Sequence, residues 1–526
     1  MPTNISNKKT KTISEITSLG VIDRLLLNQP GAKQGSEWPI IYGEEKGFDR
    51  FSIEKWLDLL DTKEFTVKDI AGLYYLEVKT VLHAVACCYF DVGEVEKAEA
   101  LLVEYLKNND DSVIHNLYLR CLLAMPQTTQ EFYRTQSIKW SEKYALEFNG
   151  EKNFSHIKRD PDRQLSIGIL CGYAYTTLFE VAFSPLFKAI DQSKFRLVLF
   201  NMGSINNSDQ MDYFDACIDM PIYHPVSLQQ AVTDNHIDIL IDLNGRFRLD
   251  NPIEVLMQRA APVQISYGNM LATYGLEAIP YIMTDKYTLP VEEEKHYSEK
   301  VYRFKTHAMG TFGLPEDEIS QLPCLTDQNK TFTFGSFNAS FKLNQWVLET
   351  WAKILQQVPN SKLFIKAGGL ESQRLHQRLV AIVDTFDLEG RITIEGFTPM
   401  DDMLKKYHKI DLALNTFPYT GGTTTAYALW QGVPSITLER EDYIQSGGGA
   451  SVLKETDLDQ FVTNSVEKYI SKAVYFANHP QRLQKIRQSM RKRLNKSARF
   501  NPPLFAKDFE KGLRFIWQDW VKNATK

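Results

Sequence analysis

The chain has 526 residues, of which 43% are hydrophobic and 24% are charged. This length exceeds what one hydrophobic core supports, so we expect about three globular domains. The 60 basic and 65 acidic residues give a formal net charge of −5, which excludes a global positive field that would attract nucleic acid or an anionic membrane.

The sequence contains no segment typical of export or membrane anchoring. Residues 1–14 are polar and surround no apolar core, and no other segment has about 18 uninterrupted apolar residues. The six cysteines are Cys87, Cys88, Cys121, Cys171, Cys217 and Cys324. They lack metal-ligand spacing and lie mostly in apolar runs, which favours buried, reduced thiols. We expect a cytoplasmic protein without a membrane span, a metal site or a nucleic-acid partner.

The first region of the chain has helical periodicity. From about residue 49 to residue 145, apolar residues recur at three- and four-residue spacing. Residues 86–93, followed by Ala98, Leu101 and Tyr105, match the pattern of a tetratricopeptide-like (TPR-like) helical hairpin. One such unit leaves two interpretations open, a repeat array or a helical domain packed on its neighbour. We predict an all-helical domain over residues 1–155.

Two series of short β-rich runs separated by helical stretches follow. The first series comprises residues 165–170, 195–200, 237–242, 263–267 and 281–284, and the second comprises 332–337, 362–366, 392–394, 410–414 and 435–438. Buried runs alternating with helices predict parallel, doubly wound sheets. We therefore predict an α/β protein with two Rossmann-like domains, residues 156–320 and 321–526, joined near residues 313–330. The second domain includes a C-terminal helix at residues 502–522.

The most informative motif is FPYTGGTTT at residues 417–425. It lies between an apolar run and a helical segment, so it predicts a strand, a loop and the start of a helix. Glycines there let a ligand approach the backbone, while helix-start amides and threonine hydroxyls offer donors to a diphosphate. An ordinary strand-to-helix turn with a threonine cap is the alternative.

Two further loops carry residues of interest. Lys342 follows the first strand of the second series, where an ammonium facing a diphosphate would stabilise charge on a leaving group. A solvated surface lysine is the other interpretation. Residues 447–449 are three consecutive glycines, which fit a second loop of close approach or a flexible linker.

Together these segments resemble the O-GlcNAc transferase family, including its plant SPINDLY relatives and the bacterial cytoplasmic glycosyltransferases that modify adhesins. The resemblance covers about residues 165–520. It is based on FGSFN at 334–338 with Lys342, FPYTGGTTT at 417–425, WQGVP at 430–434, ILIDLNG at 239–245, and YIMTD at 281–285 with YSE at 297–299.

The resemblance implies a helical N-terminal region followed by two Rossmann-like halves of inverting nucleotide-sugar transferase type, the first on the acceptor side. It implies transfer of GlcNAc or a hexose, without a metal or cofactor, from a nucleotide-sugar expected to be UDP-linked. The acceptor would be a Ser, Thr or Asn side chain of a polypeptide. A small-molecule acceptor is the enzymatic alternative, and the oligomeric state stays open.

The resemblance also assigns roles to individual residues. Lys342 matches the lysine that contacts the donor diphosphate and aids departure of the nucleoside diphosphate. Thr423 and Thr424 match the residues that contact the same phosphates. The implied donor-binding set is Asn338, Phe341, Gly421, Gly422, Thr423, Thr424, Thr425 and Tyr427.

The chain departs from the family pattern at Ala339, which replaces a glutamine of the animal members, and more seriously at three further positions. Thr177 and Met403 stand where other members have histidines, and Tyr427 stands where they have an aspartate. Without a histidine near Thr177, Glu180 and Tyr175 become candidate catalytic bases, beside Tyr173 and a donor phosphate oxygen. These departures motivate the alternative of a catalytically degenerate partner subunit or binding protein of a glycosyltransferase pair.

Overall fold

A computed structural model of the chain describes residues 50–524, apart from residues 75, 147–153, 155, 156, 175, 203–210, 221–224, 247–252, 269–271, 316–318, 320, 327–330 and 371. The chain divides into two compact units, residues 1–88 and residues 89–526. The predicted domain boundaries at residues 155, 156 and 320 lie outside the described residues, so they stay predictions.

Helices occupy the first described region, as its periodicity predicts. They are α1 (Arg50–Asp61), α2 (Val67–Leu73), α3 (Val78–Asp91), α4 (Val95–Leu106), α5 (Ser112–Leu122) and α6 (Gln130–Tyr144). Polar caps define several starts: Asp111 accepts hydrogen bonds from the first-turn amides of α5, and Thr129 does so for α6. Helix α5 packs between α4 and α6.

Length and apolar composition decide whether any of the described helices can cross a membrane. No single one of them combines the length and apolar character needed to cross a membrane, although the bent pair α2 and α3 meets both criteria when taken together. Five of the six cysteines are buried, and Cys217 is partly exposed.

The first half of the α/β region is a seven-stranded parallel sheet. Its strands are β1 (Leu165–Cys171), β2 (Phe195–Asn201), β3 (Ala216–Asp219), β4 (Ile239–Asp242), β5 (Val263–Ser266), β6 (Tyr281–Thr284) and β7 (Lys300–Arg303), in the order β3-β2-β1-β4-β5-β6-β7. The connecting helices are α7 (Thr177–Ala182), α8 (Ser184–Lys188), α9 (Pro225–Asp234) and α10 (Ile253–Met257). The order reverses between β1 and β4.

The second half is a six-stranded parallel sheet. Its strands are β8 (Thr333–Ser336), β9 (Lys362–Lys366), β10 (Ile392–Glu395), β11 (Leu412–Leu414), β12 (Ser435–Leu438) and β13 (Val462–Thr463), in the order β10-β9-β8-β11-β12-β13. This is the Rossmann order, with its reversal between β8 and β11. Its helices are α11 (Pro323–Thr326), α12 (Gln345–Gln357), α13 (Gln373–Thr385), α14 (Met400–Lys406), α15 (Thr423–Trp430), α16 (Gly447–Glu455), α17 (Val466–Asn478) and α18 (Pro480–Leu494).

The two-sheet prediction is confirmed, and three strands were not predicted. They are β3, β7 and β13, and each lies at an edge of its sheet. Edge strands are covered on fewer sides than central ones, so their sequences lack the continuous apolar run that identified the others. Strand β3, for example, is half-buried along its whole length.

Helix α19 (Pro502–Ala524) packs on the first half, although its sequence position suggested the second. Phe505, Phe509 and Trp517 are fully buried and share a core with strands of the first sheet. The indole N–H of Trp517 donates to the carbonyl oxygen of Asp160 at 3.0 Å. The sequence spacing defined the apolar stripe of α19, but a stripe does not specify the surface that will cover it.

The packing of α19 generates a stability prediction. Trp517→Ala should lower the free energy of unfolding by about 3–5 kcal/mol, because it empties a large buried site and removes an indole hydrogen bond. Leu504→Ala, on the exposed face of the same helix, should change it by less than about 0.5 kcal/mol. Urea unfolding of both variants measures the difference, and equal losses would contradict the described packing.

Candidate active site

The candidate site lies where the strand order of the second sheet reverses. Strands β8 and β11 are hydrogen-bonded neighbours in this sheet, and their following connections lead to opposite sides. The loops after their carboxyl ends therefore separate and leave a crevice, which is where sheets of this type bind ligands. Both motifs identified in the sequence, the Lys342 loop and residues 417–425, follow these two strands.

Lys342 ends a short 3-10 turn, Ser340–Lys342, in the loop after β8. Its side chain is half-buried, and its Nζ donates to the carbonyl oxygen of Thr420 at 3.0 Å. The same Nζ lies 4.0 Å from the ring centroid of Tyr419, a cation–π distance. Burial lowers the pKa of the Lys342 ammonium to about 7. The lysine is thus held across the crevice against the loop that follows β11.

The buried side chain of Asn415 fixes the shape of that second loop. Its Oδ1 accepts the N–H of Gly421 at 2.7 Å, and its Nδ2 donates to Oγ1 of Thr425 at 2.9 Å. Thr425 Oγ1 in turn donates to the carbonyl oxygen of Gly421. Thr425 is therefore buried with its hydroxyl bonded inside the loop, where it supports the turn.

Helix α15 begins at the crevice. Its N-cap is Gly422, and no side chain caps its first turn. Thr423 and Thr424 are the half-buried first residues, and Oγ1 of Thr424 donates to Oδ1 of Asn338 at 3.0 Å, which joins the two loops. An uncapped helix start carries unsatisfied N–H groups and a partial positive charge, so it favours an anion.

The missing side chain of Gly421 leaves room for two polar side chains. A Cβ there would overlap Oδ1 of Asn338 and Oγ1 of Thr424. Any side chain would push apart the two polar groups that connect the loops. The atoms that approach Gly421 in the structure are protein atoms, so the predicted close approach of a ligand to this glycine stays a prediction.

The glycines 447–449 form the first turn of helix α16, so they do not form a flexible linker. A Cβ at Gly447 would lie 2.6 Å from the carbonyl oxygen of Thr288, and one at Gly449 would lie 2.5 Å from Nδ2 of Asn415. The N–H of Gly449 donates to Oγ1 of Thr420 at 3.0 Å. The start of α16 is thus packed against the loop after β11, in which the carbonyl oxygen of Thr420 accepts the hydrogen bond from Lys342.

Two aromatic residues expected near the donor are packed against other rings. Tyr427 is buried in α15 and meets Phe312 edge-on, with ring centroids 6.0 Å apart. Phe341 meets the Tyr419 ring edge-on at 5.4 Å and stacks on Phe90 at 5.0 Å. Each ring therefore has a packing role in the described structure.

The candidate bases have different surroundings. Glu180 is exposed on α7 and forms an ion pair with Lys188 at 3.0 Å. Tyr173 is buried, and its hydroxyl donates to the carbonyl oxygen of Leu243 at 2.9 Å. Tyr175 lies outside the described residues. Within the described part of the chain, no group of three or more His, Cys, Asp or Glu side chains is arranged to hold a metal ion.

Sequence reasoning missed the roles of Tyr419 and Asn415. Tyr419 lies inside the FPYTGGTTT motif, and its aromatic character beside a predicted lysine site was the available signal. Asn415 directly follows β11, where a buried polar side chain at a strand end often organises a loop. Neither contact follows from sequence spacing, because both depend on how the loop folds back.

Several known proteins are similar to this chain. The model of glycosyl transferase family 41 matches residues 220–314 and 321–509. A probable UDP-N-acetylglucosamine–peptide N-acetylglucosaminyltransferase SPINDLY of Petunia hybrida is 27% identical over 370 residues, which cover 68% of this chain and 39% of that protein. The UDP-N-acetylglucosamine–peptide N-acetylglucosaminyltransferase of Caenorhabditis elegans is 24% identical over 47% of this chain and 22% of its own length.

This chain therefore spans less than half the length of these relatives. A solved structure matches it more completely: a lysine-to-methionine mutant of the Thermobaculum terrenum O-GlcNAc transferase has a TM-score of 0.80 at 25% identity, with 87% of each chain covered. Because the family model matches more than half of its residues, the chain belongs to glycosyl transferase family 41.

Proposed function

We propose that this chain is a protein glycosyltransferase that moves a sugar from a nucleotide-sugar, UDP-linked in the first instance, to a polypeptide side chain. One observation carries the proposal: the Lys342 ammonium lies against the loop that precedes the uncapped start of α15, at the switch point of a Rossmann sheet. The names of the matched relatives support UDP-N-acetylglucosamine as the donor and a peptide as the acceptor.

The proposed reaction is a single displacement with inversion. The acceptor oxygen or nitrogen attacks the anomeric carbon from the face opposite the diphosphate, and the bond between that carbon and the phosphate oxygen breaks. The electron pair stays on the leaving nucleoside diphosphate, and a base takes the acceptor proton. Negative charge then develops on the terminal phosphate, where fixed positive groups lower the barrier most.

Lys342 and the first turn of α15 supply those positive groups in this proposal. The amides at Thr423 and Thr424 would bind phosphate oxygens, and Lys342 would contact the same diphosphate. A bound diphosphate raises the pKa of a neighbouring amine, so Lys342 would be an ammonium in the complex although its pKa is about 7 in the empty site. We propose that transfer needs no metal, and chelation with EDTA should leave the rate unchanged.

The acceptor would enter from the first half and the helices packed on it. Arg246 follows the carboxyl end of β4 and donates to Oδ1 of Asn116 on α5 at 2.6 Å. Its guanidinium also lies 4.5 Å from the ring centroid of Trp140 on α6. These contacts place helices α5 and α6 beside the strand ends of the first sheet, where a polypeptide facing the donor would be bound.

Activity is tested directly with the purified chain. UDP-, GDP- and TDP-sugars are supplied with candidate polypeptides, and mass spectrometry follows a hexose or N-acetylhexosamine addition while a second assay follows donor hydrolysis. If the assays detect no sugar addition and no donor hydrolysis with any of the donors, the proposal is overturned. Calorimetry with UDP separates the alternative of a degenerate partner subunit, which predicts no binding at millimolar nucleotide.

Removal of the proposed charge should abolish most of the transfer. Lys342→Ala should lower turnover about a hundredfold to a thousandfold, the usual cost of one preorganised donor. Lys342→Arg should rescue poorly, because the broader guanidinium does not fit a position set by Tyr419 and the Thr420 carbonyl. Lys353→Ala, an exposed lysine on α12, is the control and should keep wild-type turnover. Wild-type turnover in Lys342→Ala would remove this mechanism.

Lys342 should lower the free energy of unfolding of the protein without bound nucleotide. Its pKa falls from 10.5 in the unfolded chain to about 7 in the folded one, so the unfolded state binds the extra proton between these values. The destabilisation is complete below pH 7 and is relieved as the pH rises towards 10.5. Lys342→Met should therefore melt above the wild type at low pH, with a difference that shrinks at alkaline pH. If Lys342→Met melts below the wild type at low pH, Lys342 stabilises the fold and this prediction is wrong.

Nucleotide binding should be coupled to proton uptake. At about pH 8.5 the empty-site lysine is mostly neutral and the phosphates of UDP are fully ionised, so bound UDP should draw close to one proton onto Lys342. Affinity should then fall as the pH rises above 7. Calorimetry in two buffers of different ionisation enthalpy measures the uptake. The Lys342→Met variant should lose it, and unchanged uptake in that variant would assign the proton elsewhere.

Glu180 receives a separate test. Because it is exposed and paired with Lys188, we expect Glu180→Gln to keep its turnover from acid to alkaline pH. The pH profile of transfer is the measurement. If the pH profile of Glu180→Gln lacks the acidic limb that the wild type shows, Glu180 is instead the catalytic base.

A further inference from the structure

Residues 90–94, at the junction of α3 and α4, contact the loop that carries Lys342. Phe90 is fully buried, and its ring stacks on that of Phe341 with centroids 5.0 Å apart and an angle of 23° between the planes. Arg120 covers the Phe90 ring at 4.1 Å. Phe341, the residue immediately before Lys342, is therefore packed against a ring 251 positions earlier in the chain.

The residue immediately after Lys342 is held by the same turn. Arg378 on α13 donates from one guanidinium nitrogen to the carbonyl oxygen of Val92 and from the other to that of Leu343, the latter at 2.9 Å. A guanidinium can bridge two carbonyl groups because its N–H groups form a rigid fork. Leu343 and the turn are thus joined through one side chain.

The backbone of the turn approaches the lysine loop closely. Gly93 has φ +77, and a Cβ there would lie 3.0 Å from the carbonyl oxygen of Leu343 and 3.1 Å from Nη1 of Arg378. Both the conformation and the space require glycine. Next to it, Glu94 pairs with Arg374 at 2.8 Å, and both side chains are largely shielded from solvent.

This support matters because the turn that carries Lys342 is short. Residues Ser340–Lys342 form a single 3-10 turn, closed by hydrogen bonds from the N–H of Lys342 to Ala339 and from that of Leu343 to Ser340, each 3.0 Å. Such turns have poor hydrogen-bond geometry and little stability of their own. The position of the ammonium therefore depends on what holds the residues on either side.

We propose that residues 90–94 position Lys342 for departure of the nucleoside diphosphate, with Phe90 and Arg378 as positioning residues. The proposal rests on the proposed function and extends it. The segment between α3 and α4 acts on the donor step, whether or not a polypeptide is bound. Neither residue touches the reacting atoms, because each acts through a neighbour of the lysine.

The first test measures donor hydrolysis by water, without any acceptor. Phe90→Leu and Arg378→Lys should each lower kcat about tenfold to a hundredfold with little change in KM, because a displacement of about 1 Å at a catalytic group has costs of this size. Arg378→Lys keeps the charge and loses the bridge, which separates geometry from electrostatics. Trp517→Ala, buried in the first half away from this turn, controls for a general loss of stability.

The second test asks whether the effect passes through Lys342. Proton uptake on UDP binding reports the lysine itself, so Phe90→Leu should shift its pH dependence, whereas Trp517→Ala should not. In a Lys342→Met background, Phe90→Leu should cause no further loss of hydrolysis, since the group it positions is gone.

The outcomes separate the two proposals. A wild-type chain without nucleotide binding, hydrolysis or transfer overturns the proposed function and this inference together. An active wild type whose Phe90→Leu and Arg378→Lys variants match it overturns only the inference. A third outcome is that Phe90→Leu lowers hydrolysis equally in the wild-type and Lys342→Met backgrounds and leaves the pH dependence of proton uptake unchanged. This outcome would assign the turn a merely structural role and would also overturn the inference.

Discussion

The candidate site is organised around the amine of Lys342, which the surrounding loops withdraw from solvent. Burial is the cause of the lowered pKa of Lys342, and no carboxylate of the described residues offsets it. The nearest groups are a carbonyl oxygen and the face of Tyr419, which orient an ammonium without neutralising it. A carboxylate partner would have stabilised the empty protein and weakened the attraction for an anion. The loops around the lysine are accordingly built from neutral hydrogen bonds, as those of Asn415 and Thr424 illustrate.

Much of the fold could be predicted from hydrophobic runs, since every predicted strand of the two series is present in its sheet. The strands that escaped prediction, such as Val462–Thr463, are short and partly exposed, and their formation depends on a neighbour that offers hydrogen bonds. The helix Pro502–Ala524 shows the complementary limit. Its period revealed which side is buried, whereas its partner surface is more than 150 residues earlier and is defined only by tertiary structure.

The candidate site divides in the same way. Lys342, Gly421 and Thr424 could be found because loops after parallel strands meet at one edge of a sheet, so their sequence positions already imply their proximity. The contact of Phe90 with Phe341 could not be found in this way, because the sequence of a helical segment does not indicate which loop the helix contacts. Thr425 is a threonine like the two residues before it. Each step along α15 turns the side chain to a new direction, and at Thr425 the hydroxyl points into the protein and bonds to the carbonyl oxygen of Gly421.

The return of helix α19 to the first half has a consequence for synthesis on the ribosome. The second sheet, complete by Thr463, leaves the exit tunnel before the residues that finish the core of the first sheet. The surface of the first half that Phe505 and Trp517 cover in the folded protein therefore stays exposed while the strands of the second sheet are already outside the tunnel. Exposed apolar surface of this kind is what chaperones bind. The order of translation thus makes the first half the later one to complete its core.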